Sequence, residues 1–208
     1  VIDPNRNYAA GTFQPDEPWL GLHCDGDRCE VRDADITVSA STATGVADVD
    51  EPIDVLHGGE ELLALFQGMA TVPGPVPTWF RMRVVPYDSR QYTALLRLGR
   101  WEIPNPHAPL TLFSVTLPDQ GGYRYHITDG VTPQFLFATD LTGHYGEPRI
   151  PVVHWVGDLN GDGRPDLLLS IPDDSCGFDD RLYLSSSEPG TLLIKAAQLS
   201  GWQSACGC

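Results

Sequence analysis

The sequence predicts a mostly β chain of antiparallel sheets, propeller-like or sandwich-like, with one or two short helices. Three observations carry this. Apolar residues recur in short runs, several of them with a period of two, as in strands buried on one face. Clusters of Gly, Pro, Asp and Asn separate the runs at regular spacing. Finally, 18 prolines and 21 glycines among 208 residues leave little room for long helices, because proline removes an amide donor and both residues interrupt a helical ladder.

Residues 1–18 are polar and proline-bearing and read as an N-terminal arm, ahead of one β-rich domain at 19–208. Strands are expected at Ile36-Thr37-Val38-Ser39, at 79–85, at 111–117 and at Gln134-Phe135-Leu136-Phe137-Ala138. They are expected again at Val152-Val153-His154-Trp155-Val156, at Leu167-Leu168-Leu169-Ser170-Ile171 and at Arg181-Leu182-Tyr183-Leu184. One helix is expected at 59–68, where Glu60 and Glu61 suit a first turn and Gly68 a C-terminal end. A short helical turn is expected at 195–199.

Charge narrows the partners. Lys and Arg number 13 against 28 Asp and Glu, a formal charge of −15. Such a field repels phosphate backbones and anionic lipid and suits a basic protein or divalent cations. No stretch reaches the ~18 apolar residues of a membrane span. The only membrane attachment this reading allows is a lipid anchor upstream of Val1, and any export signal is expected to have been removed. The five cysteines sit at turns and at the C-terminus, which suits an oxidising compartment. A Cys24–Cys29 bridge is expected, with Cys176 reaching Cys206 or Cys208. The alternative, a zinc site, lacks paired ligand spacing and is surrounded by hard carboxylates.

The segment 158–166 reads D-x-N-x-D-G-x-x-D and carries the clearest chemistry. Ca²⁺ takes six to eight oxygen ligands. Asp158, Asn160 and Asp162 supply alternate side-chain oxygens, Gly163 permits the sharp bend, the Arg164 carbonyl occupies position seven and Asp166 position nine. An ordinary acidic hairpin would need fewer carboxylates. Leu169 stands where an EF-hand has its bidentate Glu, and Pro165 with the leucine run favours a strand after the loop. The site is therefore expected to be strand–loop–strand, and its role structural rather than catalytic. The loop resembles the calcium loops of FG-GAP-type repeats.

Six histidines are scattered without metalloprotease spacing, and no nucleophile elbow or phosphate loop is present. The sequence therefore reads as a non-enzyme. The order of motifs in 130–208 is a Thr142-Gly143-His144-Tyr145 loop, the calcium loop and its strand, an acidic Gly loop at 173–180, and a closing turn. This order resembles the periplasmic inhibitors of i-type lysozymes and the lipoprotein immunity proteins paired with type IV secretion effectors that cleave peptidoglycan. The resemblance implies a periplasmic protein that blocks a basic peptidoglycan hydrolase with a projecting loop. Tyr145, Ser175, Gly177 and Phe178 are the partner-binding candidates. No S-G-x-Y motif of the inhibitors is present as such, so two loops remain candidates. Lying between them in sequence, the calcium loop is expected to stiffen both. The other reading is a calcium-stabilised adhesion or glycan-binding module of FG-GAP type.

Overall fold

A computed structural model of the chain describes residues 7–9, 11–12, 16, 18–40, 52–57, 62–69, 71–82, 99–107, 109–117, 122–140, 151–172 and 177–202. Every regular element among them is a β-strand, and every pairing is antiparallel. With strands numbered along the chain, an eight-stranded sheet runs in the order β4 (Ile36–Ala40), β5 (Pro52–His57), β1 (Asn7–Ala9), β16 (Leu193–Trp202), β15 (Gly177–Ser185), β14 (Asp166–Pro172), β13 (Val152–Gly157), β8 (Thr78–Arg81). A four-stranded sheet runs β12 (Pro133–Asp140), β11 (Gly122–Thr128), β10 (Leu110–Thr116), β9 (Arg100–Ile103). A second runs β6 (Leu62–Phe66), β2 (Trp19–Asp25), β3 (Arg28–Ala34), β7 (Gly74–Val76).

The eight-stranded sheet is the middle layer. On one face Leu167, Leu169 and Ile171 of β14 pack with Leu112, Ile127 and Phe137 of the β9–β12 sheet. On the other, Leu168 and Leu182 pack with Leu22, Val31 and Phe66 of the β2–β7 sheet. Side chains alternate along a strand, so the unbroken Leu167-Leu168-Leu169 run is what a strand covered on both faces requires. Each buried cluster among the described residues joins an outer sheet to the central one. The arrangement is therefore a three-layer, sandwich-like stack. A propeller ring would need the outer sheets to meet each other.

The structure corrects three expectations. The helix expected at 59–68 is strand where it is described: Leu62–Phe66 is β6, paired with β2 from Leu20 to His23. Its apolar run is shared between two clusters, Ala64 and Phe66 in one and Leu62 and Leu65 in the other, and a short apolar run does not reveal its period. Gly68, read as a helix end, lies at φ +68° after the strand. The helical turn expected at 195–199 lies within β16, where Ala197 and Leu199 pack inward at period two. Finally, residues 7–9 of the supposed arm form β1, inserted between β5 and β16, and Tyr8 is fully buried.

Candidate functional site

The loop at 158–166 is wired into the stack at several points. Strand β13 delivers the chain through Trp155, fully buried, whose indole N–H donates to Thr78 Oγ1 at 3.0 Å. A Cβ on Gly157 would stand 2.2 Å from the Trp155 ring and 2.3 Å from the Pro77 carbonyl. Glycine here lets the Asp158 N–H donate to that carbonyl at 2.9 Å. Leu159 plugs into the core beneath, and its carbonyl accepts from Thr71 Oγ1 at 3.0 Å.

The carboxylates turn inward. Asp158 is buried, and its two oxygens accept from the Asp162 and Gly163 N–H groups, each at 2.9 Å. Asn160 Oδ1 accepts from the Asp162 N–H at 3.2 Å while its Nδ2 donates to Ser185 Oγ at 3.0 Å. Asp162 accepts from the Arg164 N–H at 2.9 Å and from Ser185 Oγ at 2.8 Å, and pairs with the Arg164 guanidinium at 3.1 Å. Asp166, fully buried, accepts from the Leu159 N–H at 2.6 Å, the Asn160 N–H at 3.2 Å and the Ser185 N–H at 2.7 Å. Burial pushes its carboxyl up to about 6 against the opposing pull of these donors, and a neighbouring cation would pull it down. Gly161 and Gly163 take φ +77° and +79°, the left-handed conformation that makes the tight turn possible.

These residues fit a calcium ion in donor chemistry and chain path: three carboxylates, an amide oxygen and a carbonyl on a turn with left-handed glycine at its sixth position. Among the described residues no three His, Cys, Asp or Glu groups gather at metal-holding range. The negative charge is met instead by N–H donors and Arg164. Asp158, Asn160, Asp162, the Arg164 carbonyl and Asp166 are the groups that would hold the ion, and Asp162 would exchange its Arg164 and Ser185 partners for it.

The partner-binding candidates divide. Tyr145 and Ser175 lie outside the described residues, as do Cys176, Cys206 and Cys208. Gly177 is buried and Phe178 half-buried at the start of β15, where Phe178 pairs with Pro172 and Gly201. Phe178 stands at the end of β14 where Ser170 pairs with Val152, the first residue of β13. The calcium-type loop is at the other end of β14, about 20 Å away at ~3.3 Å per residue. The loops it was expected to stiffen, at Tyr145 and Ser175, lie outside the described residues.

The Cys24–Cys29 bridge is present, between residues paired in register on β2 and β3. Arg81 donates to the Cys24 and Gly26 carbonyls at 2.7 and 2.9 Å, clamping that hairpin. A cleft of about 670 Å³ opens beside it, lined by His23, Asp25, Asp27, Glu30, Arg32 and Pro77. The Asp-Gly-Asp between the two cysteines is its one sequence signal. His154 Nε2, Ser170 Oγ and Asp180 Oδ1 form a hydrogen-bonded chain across three strands, 2.6 Å at its first link. No family model, curated protein or solved structure matches this chain.

Proposed function

We propose that this protein is a non-catalytic periplasmic inhibitor or immunity protein that binds and blocks a basic peptidoglycan hydrolase. The observation that supports the reading most is the charge of the chain, 28 acids against 13 bases. Phe178, a partner-binding candidate, is held in β15 between Pro172 and Gly201 of its neighbouring strands. A rigid base lowers the ordering cost of a binding loop. Glycan-cleaving clefts carry two carboxyl groups, and a tyrosine phenol or serine hydroxyl can donate to them. A charge of −15 would speed encounter with a basic partner. A calcium ion on the 158–166 loop would act from the opposite end, by stabilising the stack.

The test is an activity assay on purified cell wall with candidate basic hydrolases. Wild type is expected to inhibit near equimolar ratio, with Tyr145→Ala or Phe178→Ala weakened at least tenfold, as for an interface anchor. A cognate hydrolase that stays fully active under large molar excess overturns the reading.

A further inference from the structure

Strand β1 holds the central sheet together from within. Asn7, Tyr8 and Ala9 pair with Asp54, Ile53 and Pro52 of β5, and Asn7 also pairs with Trp202 of β16. Among the described strands, β4 and β5 join the rest of the sheet only through β1. Tyr8 is fully buried, in one cluster with Trp19, Leu62 and Leu65. An empty slot would leave β5 and β16 with bare edges and unmet backbone groups. The slot therefore requires a strand. Its contacts are non-covalent, and the β1 of another copy would reproduce all of them.

Downstream, residues 10–18 tie β1 to β2. This connection opens with a reversal in which the Thr12 N–H and hydroxyl both donate to the Ala9 carbonyl, at 3.2 and 2.6 Å. Gly11, third residue of that turn, takes φ +76°, where an L side chain is strained. Opened out, the connection reaches about 30 Å at ~3.3 Å per residue. Pro15 and Pro18 favour extended backbone in the residues before them.

We propose that β1 is an exchangeable strand. When the Ala9–Thr12 turn opens, the β1 of one copy fills the slot between β5 and β16 of a second, and reciprocally, giving a strand-swapped dimer. The buried contacts are the same in both forms, so the balance rests on the connection and on concentration. A segment tethered by a short linker has a local concentration on the order of millimolar, and the swap competes as the protein approaches it. The charge of −15 on each copy opposes association, and salt screens it. Three residues make few contacts, so β1 can leave by local opening while the rest of the stack stays folded. The turn is the adjustable part. A Cβ on Gly11 would meet no atom within 4 Å, so a substitution there strains the closed turn through φ alone and leaves the open arm relaxed.

Sedimentation velocity at high salt, over a range of concentrations, reads the dimer. Wild type is expected to be monomeric at micromolar concentration, with dimer growing toward millimolar. Gly11→Val should form the dimer at roughly hundredfold lower concentration, about tenfold for each of the two hinges relaxed. Gly68→Val is the control: Gly68 is also exposed, at φ +68° with open space around it, but lies outside the connection. It should lower the melting temperature and stay monomeric where Gly11→Val is dimeric. In the Gly11→Val background, copies carrying only Ala9→Cys are mixed with copies carrying only Pro52→Cys, residues paired across β1 and β5. A short thiol cross-linker should join the two above the Gly11→Val background. Three results would overturn the proposal: Gly11→Val monomeric up to millimolar, Gly68→Val dimerising alike, or a dimer without the cross-link. No hydrolase enters the test, so its outcome is independent of the inhibitor reading.

Discussion

The turn between β11 and β12 and the loop between β13 and β14 draw on the same residues, aspartate and glycine, and solve different problems. In the first, Asp129 accepts from the Val131 and Thr132 N–H groups at 2.9 and 3.2 Å, Thr128 Oγ1 accepts from the Gly130 N–H, and Val131 is 84% exposed. All of this is local, and the carboxylate stays in water, its pKa lowered by the two N–H donors. In the second, Asp158 and Asp166 are buried, and the loop is tied to β15, to the β6–β7 connection and to the core through Ser185, Thr71 and Leu159. A solvated aspartate can define a turn unaided. Buried carboxylates lose their hydration and need donors or a cation to balance them.

Substitutions should separate the two. The largest effect is expected from Asp166→Ala, which leaves three backbone N–H groups without their acceptor and should cost about 3 kcal/mol or more in urea unfolding. If the loss is no greater than for Asp129→Ala, the loop is as self-contained as the turn. Next comes the metal. Calcium at a hundred times its Kd should stabilise the fold by about 2.7 kcal/mol, read as a fall in melting temperature with EDTA. Asp162→Ala should erase that difference and Asp129→Ala preserve it. Identical melting curves in EDTA and excess calcium would remove the ion from the loop. Asp129→Ala itself should shift the melting temperature least of the three, equally with and without calcium.

The smallest effect concerns the sheet that carries the simple turn. His126 should titrate below its ordinary 6.5 when followed by NMR. Its folded pKa lies below its unfolded one, so its contribution to stability is complete above pH 6.5 and is lost as pH falls through the folded midpoint. A midpoint at or above 6.5 would mean that the ring is neither shielded nor stacked on Phe113.

Much of this was legible in the primary structure, for identifiable reasons. Period-two runs such as Thr111-Leu112-Phe113-Ser114 became β10, and the leucines after Pro165 became β14. The 158–166 spacing marked a loop that does turn its oxygens inward. The Cys24–Cys29 bridge followed from a short turn between two thiols. Legibility failed where an element's neighbours set its conformation. Leu62-Leu63-Ala64-Leu65-Phe66 suits either a helix or a strand by composition, and β2 decided for strand. Strands β2, β3, β9 and β11 were not anticipated, although Trp101 and Ile103 of β9 and Tyr123, Tyr125 and Ile127 of β11 do alternate with polar residues. The outward turn of Phe135 depends on one bulge, opposite Tyr125 and His126, that no local pattern announces.

By itself, then, the sequence determined the strand-rich class, the acidic character, the disulfide at 24–29 and the oxygen-rich loop, because each depends on residues within a few positions of one another. Only the tertiary structure decided that β1 lies inside the central sheet, that β6 is a strand beside β2, and that an arginine, two phenylalanines and a histidine stand in one register row. Those outcomes depend on which strands pair and in what register. Register is a contest among alternative pairings, settled by burial on both faces at once, and burial is a property of the assembled layers rather than of any one segment.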